Sequence, residues 1–152
     1  MPRKIVSIGI LLAMISVALG AFGAHALKSI VSQDHVALFE TGVRYQFLHA
    51  FALITLSLHA QLNKKGPNYL GQIKEGQYND GPAFPKGYTW AANFFIAGVF
   101  LFSGSLYFLT FREFFPSPMI SLIGPITPLG GICFIAGWMS WLKVVISDKV
   151  DK

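Results

Sequence analysis

Three long runs without a charged residue dominate the sequence, at residues 5–24, 90–111 and 119–142. The hydrocarbon core of a bilayer is about 30 Å thick, and a helix needs about 20 apolar residues to cross it. Hydrophobic residues make up 53% of the 152 residues and charged residues only 12%, whereas a soluble domain carries about 25% charged residues. A chain of this length could not bury so much apolar side chain by itself. The composition therefore excludes a soluble enzyme and a disordered chain, and it predicts an all-α integral membrane protein.

A fourth, more polar run lies between the first two, at residues 36–62. It carries Glu40, Arg44, His49 and His59, but after Arg44 it holds no acidic residue and no Lys or Arg. We therefore predict a single membrane domain over residues 1–152, built as a bundle of four transmembrane helices. The predicted spans lie at about 5–25, 36–62, 90–111 and 126–145, and residues 63–89 form the middle loop.

The first apolar run also has features of a secretory signal peptide. Arg3 and Lys4 precede it, and Ala24-His25-Ala26 follows the small-residue pattern of a cleavage site. The run is longer than the usual apolar region of a signal peptide. We therefore expect it to be retained as a membrane span.

The basic residues are unevenly divided between the two sides of the predicted bundle. With four spans, both termini and the middle loop share one side, and that side holds nine of the twelve Lys and Arg residues. The other three are Lys28, Arg44 and Arg112. Because cytoplasmic loops carry the excess of positive charge, we predict that the N and C termini both lie on the inner side. The formal net charge of +5 then reflects membrane topology, and we expect membrane lipids rather than nucleic acid as partners.

Four unusual segments fall toward the outer side of this topology, with the sequences GAFGAHAL, FETGVRYQFLHA, FSGSLY and IGPITPLGGICFIAGW. They resemble the signature of the domain of unknown function 423 family of small membrane proteins, which includes transmembrane protein 256. The resemblance covers nearly the whole chain. It implies four transmembrane helices in a bacterial cytoplasmic membrane or a mitochondrial inner membrane, and it brings no catalytic residues with it. The middle loop, residues 63–89, is longer than the family leads us to expect.

The charged residues of the second span are the first candidates for a site in the outer half of the bundle. Ionisable residues within a membrane are functional candidates by default. Glu40 and Arg44 are four residues apart and can pair on the helix surface, so they are expected to form a structural polar pair near the headgroups. The alternative is that Arg44 binds an anionic lipid headgroup or substrate.

His49 lies about two turns deeper than Arg44 and is the second candidate. Ser103, Tyr107 and Thr110 form a polar stripe on the third span. A hydrogen bond from His49 to that stripe would hold two helices together, and a ligand or proton-relay role for His49 and Tyr107 is the alternative.

Other features indicate contacts with neighbouring proteins. Ser16, Gly20 and Ala24 form a ridge of small residues on the first span, where a second helix can approach closely, either from this chain or from another protein. The middle loop combines polar residues with aromatic side chains that could dock on a partner or rest on lipid. These aromatic residues are Tyr69, Tyr78, Phe84 and Tyr88.

No catalytic signature accompanies these features. His49 and His59 share one helix about 15 Å apart, and no tight metal-ligand spacing occurs, so we predict neither a cofactor nor a metal site. The predicted function is that of a non-enzymatic accessory or assembly subunit of a larger membrane complex, with other membrane-protein subunits as partners. The alternative is a lipid-binding, small-molecule-binding or transport component with its site in the outer half, and a membrane enzyme ranks last.

Overall fold

The computed structural model describes residues 2–63, 86–115 and 123–150, and the regular structure in these ranges is entirely helical. Short helical elements lie between or after some of the longer helices. The α-helices are α1 (Pro2–Ala24), α2 (Gln33–Asn63), α3 (Lys86–Gly98), α4 (Gly104–Thr110) and α5 (Ile126–Val150). A π-helical segment, Val99–Ser103, joins α3 to α4, and the 3-10 turns are Leu27–Ser29 and Arg112–Phe114.

Three stretches of the described chain are long and apolar enough to cross a membrane, judged by length and composition: Arg3–Ser29, Lys86–Thr110 and Ile126–Ser147. They coincide with the first, third and fourth predicted spans. The second predicted span is present as α2, a helix of 31 residues, but its composition keeps it out of this group. The crossing of the membrane by α2 therefore stays a prediction.

The middle loop is shorter than predicted at its second end. Helix α3 begins at Lys86, one turn before the expected position 90. Tyr88 lies in that added turn and is 2% exposed, so it is part of the bundle interior and not of the middle loop. The other three loop aromatics lie outside the described residues.

Helix α2 occupies the centre of the bundle. It runs antiparallel to α1, and it also packs on α3, on the π-helical segment and on α4, whereas α5 packs mainly on α3 and on the π-helical segment. We call the end that holds Ala24, Gln33 and Thr110 the hairpin end. The opposite end, which holds Asn63 and Lys86, is the terminal end.

Two buried clusters hold the helices together. The larger cluster joins α2, α3 and α5 through side chains such as Leu53, Phe95 and Phe134. The smaller one lies at the hairpin end and includes Leu27 and Phe39. Burial of apolar area contributes about 25 cal/mol per Å² for the part of the chain that would otherwise meet water, and within a bilayer close packing takes over that role.

The outer faces of α1 and α5 are apolar and uncovered. On α1, Met14 and Val17 are 64% and 66% exposed, and on α5, Ile132 and Ile135 are 61% and 62% exposed. Uncovered apolar faces of this extent are not tolerated in water by a monomeric soluble protein. They are the surfaces that lipid chains, or the apolar helices of another membrane protein, would cover.

Candidate functional site

The side chain of His49 is held from three directions inside the bundle. Its Nδ1 lies 2.8 Å from the carbonyl oxygen of Tyr45, and the indole Nε1 of Trp138 lies 3.3 Å from its Nε2. The imidazole also stacks on Phe134, with 3.5 Å between ring centroids. An indole N–H can only donate and a carbonyl oxygen can only accept. His49 therefore carries its proton on Nδ1 and is neutral, and both ring nitrogens already have partners.

Gln46 is the polar side chain that joins three elements. Its Nε2 donates to the backbone carbonyl of Leu12 on α1, at 3.1 Å. Its Oε1 accepts a hydrogen bond from the hydroxyl of Tyr107 on α4, also at 3.1 Å. Gln46 is 4% exposed, so these two bonds replace the water that its amide would otherwise bind. Gln46 was not among the predicted site residues, although its position three residues before His49 places it on a neighbouring part of the same helix face.

The predicted bond between His49 and the polar stripe of the third span does not form. Tyr107 bonds to Gln46, and Thr110 donates to the carbonyl of Leu106 in its own helix at 2.8 Å. Ser103 is buried, and its hydroxyl has no hydrogen-bond partner in the described ranges. The expectation fails because the ring of His49 faces α5, where it meets Phe134.

A second histidine cluster lies near the terminal end. The indole N–H of Trp141 donates to Nδ1 of His59 at 3.0 Å, and the hydroxyl of Tyr88 lies 3.3 Å from the same nitrogen. Asn63 reaches Nε2 of His59 at 3.4 Å and the Tyr88 hydroxyl at 2.9 Å. The indole N–H can only donate, so Nδ1 of His59 is the acceptor in that bond, and the amide Nδ2 of Asn63 donates to the Tyr88 hydroxyl.

The two tryptophans that serve these histidines are one turn apart on α5. Trp138 and Trp141 stack with ring centroids 5.6 Å apart. Sequence reasoning missed the role of this pair, since tryptophans near the end of a span are usually interfacial residues. Trp138 and Trp141 are three residues apart on α5, and His49 and His59 both lie on α2. This combination could have indicated tryptophan–histidine contacts between the two helices.

Arg44 and Glu40 lie together on the surface of the hairpin end but do not pair. Both are exposed, and they line an open groove of about 310 Å³ between α1 and α2, together with Gly20 and Gly23. The ion contact recorded among the described residues is a different one, between Nδ1 of His35 and Oε1 of Glu113 at 3.5 Å. The charged groups of Glu40 and Arg44 thus stay more than 4 Å apart, although their spacing allows a pair.

The small-residue ridge of α1 faces α2 over part of its length. Ser16 is 2% exposed and donates to the carbonyl of Leu12 at 2.8 Å, Gly20 is half-buried, and Ala24 is exposed. Among the glycines of α1, Gly9 is packed most tightly against α2, since an added Cβ would come 2.9 Å from the carbonyl oxygen of Ala50. The small residues of α1 therefore serve packing within the chain, most tightly at a position outside the predicted ridge.

Among the described residues, no group of three or more His, Cys, Asp or Glu side chains is placed to hold a metal ion. His49 and His59 use their ring nitrogens for hydrogen bonds within the bundle, and buried His35 has the carboxylate of Glu113 beside its Nδ1. The interior side chains hold helices together. On the surface of the groove, Arg44 presents a cation and Glu40 presents an anion.

Apolar helices with uncovered outer faces, and an interior whose polar groups bond to one another, define a small helical integral membrane protein. The family model described as "Protein of unknown function (DUF423)" matches residues 19–131. This is well over half of the chain, and the protein belongs to that family. The predicted family resemblance is confirmed.

Bacterial relatives agree with this assignment. The UPF0382 membrane protein YwdK of Bacillus subtilis is 33% identical over 145 residues, which cover 95% of each chain. The UPF0382 membrane protein of Haemophilus influenzae is 31% identical over 140 residues, 92% of this chain and 91% of the relative. The UPF0382 inner membrane protein YgdD of Escherichia coli is 31% identical over 135 residues, 89% of this chain and 83% of the relative. No solved structure matches the chain. The predicted integral membrane location is confirmed.

Proposed function

We propose that this protein is a non-enzymatic, four-span membrane protein that acts as an accessory or assembly subunit of a larger membrane complex. One observation carries the proposal: three of the interior polar side chains that could perform chemistry are used in contacts between helices, whereas, in the part of the chain that the structure describes, buried His35 and Ser103 each keep a polar atom without a hydrogen-bond partner. Gln46, His49 and His59 each bond across to another helix. What remains open to a partner is the uncovered apolar surface of α1 and α5. Such a bundle is stabilised by its own interior hydrogen bonds and offers apolar outer faces on which another membrane protein could pack.

The length of α2 supports a fourth crossing. Its 31 residues rise about 46 Å, more than the hydrocarbon thickness of about 30 Å. Its polar residues Gln46, His49 and Ser57 are buried against other helices, so they do not face lipid. With four crossings, the excess of Lys and Arg places the terminal end on the inner side.

Cysteine labelling tests the crossing and the orientation together. Ser29 and Ser147 are both exposed, and either can be changed to Cys after Cys133→Ser removes the native thiol. In intact cells, a maleimide that does not cross membranes should label Ser29→Cys and leave Ser147→Cys unlabelled until the cells are opened. Labelling of both in intact cells, or of Ser147→Cys alone, would contradict the proposed topology.

The subunit role is tested by native mass spectrometry after extraction in a mild detergent. The expected result is a reproducible complex of fixed composition at native abundance. Val17→Trp on α1 and Ile135→Trp on α5 enlarge the two uncovered faces separately, so loss of the complex in one variant identifies the contact face. A stable monomer without partners at native abundance would refute the subunit role.

The second candidate function is lipid or small-molecule binding, with a transport role as its extension. The observation that favours it is the groove lined by Glu40 and Arg44. Of the three predicted ligand residues, this groove retains Arg44 only, since His49 and Tyr107 are bonded inside the bundle. The test is retention of a phospholipid by the purified protein, with Arg44→Gln as the variant that should lose it.

A further inference from the structure

Two opposite charges share the rim of the α1–α2 groove without neutralising one another. Glu40 and Arg44 are exposed, lie one turn apart on α2 and line the same groove. Within the described residues, neither side chain has a recorded hydrogen bond or an ion pair with the other. A charge near an apolar medium is costly unless a counter-charge or a hydrogen-bond partner satisfies it.

The depth of the groove matches the headgroup boundary. Helix α1 has about 20 uncharged residues after Lys4, which is about one hydrocarbon thickness. Gly23 and Gly20 lie in its last two turns, and they contact Phe39 and Val43 of α2, respectively. Glu40 is therefore level with the hydrocarbon edge, and Arg44 lies about 6 Å deeper, from where its long side chain can extend back to the surface.

The floor of the groove is apolar. Phe39, Val43 and Phe47 line it from α2. On the α1 side, Gly23 lies against the ring of Phe39, and Gly20 leaves space because an added Cβ would meet only Val43, at 3.8 Å. A hydrocarbon chain fits such a floor, and the charged rim stands at the level where a lipid carries its headgroup. The apolar floor therefore matches an acyl chain, and the charged rim matches the headgroup of the same phospholipid.

We propose that this groove binds phosphatidylethanolamine, with the phosphate on Arg44, the primary ammonium on Glu40 and an acyl chain on the apolar floor. This inference rests on the second candidate function and specifies its ligand. A guanidinium pairs with phosphate oxygens, and a carboxylate accepts hydrogen bonds from an ammonium group. An anionic lipid without an amine would satisfy Arg44 and leave Glu40 facing a like charge. A choline headgroup has no N–H to donate, so it would give Glu40 a weaker partner.

The test measures lipid binding by the purified full-length protein in native mass spectrometry. Phosphatidylethanolamine, phosphatidylglycerol and phosphatidylcholine with identical acyl chains are titrated separately. The wild type should bind phosphatidylethanolamine most tightly. Glu40→Gln should weaken its binding about tenfold and leave phosphatidylglycerol no worse, because one charge-assisted hydrogen bond is lost. Arg44→Gln should weaken all three lipids about tenfold or more.

Lys28→Gln is the matched control, because Lys28 is an exposed base at the same end but outside the groove. It should change none of the three affinities. Gly20→Leu is a second way to close the site, since a Cβ there meets only Val43, at 3.8 Å, so the side chain can fill the groove. A thermal midpoint equal to that of the wild type shows that each variant is folded.

The outcomes separate this inference from the function on which it rests. Tighter binding of phosphatidylglycerol than of phosphatidylethanolamine, with loss in Arg44→Gln, would overturn the headgroup assignment and leave a lipid site in place. Equal losses in Lys28→Gln and Arg44→Gln would show nonspecific attraction to bases and overturn it as well. Failure of the wild type to retain any phospholipid would overturn both.

Discussion

Gly130 meets the backbone of Phe102 more closely than any side chain would allow. A Cβ added to Gly130 would lie 2.7 Å from the Cα of Phe102, whereas carbon atoms in contact are separated by about 3.5–4.0 Å. The obstacle is main chain in the π-helical segment, so it cannot be relieved by rotating a side chain. Gly130→Ala must therefore move α5 away from that segment by about 1 Å.

The expected cost follows from two opposing effects. Overpacking of this kind destabilises by about 1–3 kcal/mol, and replacing a helical Gly by Ala returns about 0.5–1 kcal/mol. With mid-range values for both effects the net loss is about 1 kcal/mol, which lowers the thermal midpoint by about 2–4 °C for a chain of about 150 residues. Thermal unfolding in one fixed detergent, followed by tryptophan fluorescence, measures this loss directly.

Gly131→Ala is the matched control on the next residue. Its Cβ would lie 3.9 Å from the ring of Phe102, which is ordinary contact, and it receives the same gain in helix propensity. Gly131→Ala should therefore leave the midpoint unchanged or raise it. Equal midpoints for Gly130→Ala and Gly131→Ala would refute the close seating of α5 on the π-helical segment.

Three further outcomes are expected from the interior hydrogen bonds, each measured as a thermal midpoint in the same detergent. Gln46→Leu should cost about 1–3 kcal/mol because the part-buried hydroxyl of Tyr107 loses its partner. The double variant Gln46→Leu, Tyr107→Phe should recover part of that loss, and strictly additive losses would speak against the bond. His49→Leu should also lower the free energy of unfolding by about 1–3 kcal/mol, since the indole N–H of Trp138 loses its acceptor. The control Leu48→Ala, on the exposed face, should have a smaller effect. The reverse order would contradict the placement of His49. Trp138→Phe should be additive with Leu48→Ala and non-additive with His49→Leu, because only the second pair is in contact.

The apolar runs were sufficient to predict three of the four long helices. The first, third and fourth predicted spans coincide with stretches that are long and apolar enough to cross a membrane. In an apolar medium the backbone must satisfy its own hydrogen bonds, and a continuous uncharged run of about 20 residues does so as a helix, since a membrane β-strand needs only about 9–11 residues. The start of α3 was missed by one turn because Tyr88 looks like a loop residue until its partner His59 is known.

The candidate site was predicted less well, because it depends on how the helices are rotated. The rotation of α5 is set by close contacts at glycines: an added Cβ at Gly137 would lie 2.6 Å from the ring of Phe95, and Gly130 meets Phe102. This rotation turns Trp138 toward His49, and no single residue pattern specifies it. The spacing of Glu40 and Arg44, in contrast, predicts a shared helix surface, and in the structure both residues line one groove without an ion pair between them. Exposed charged side chains gain too little from pairing for spacing alone to determine their contacts.

The proposed crossing of the membrane by α2 bears on how mean hydropathy selects membrane helices. Hydropathy sums all side chains, whereas the lipid meets only those on the outer face. The polar side chains of α2 that lower its hydropathy include Gln46 and His49, both buried, while Leu48, Phe51 and Leu58 are 56%, 49% and 54% exposed. The outer face of α2 is therefore apolar beyond the charged rim of the groove, like that of α1. A helix whose polar groups are satisfied by its neighbours can cross a bilayer only after those neighbours are in place. The insertion of α2 should therefore depend on α1 and α5, whereas the insertion of α1 and α5 should depend less on α2.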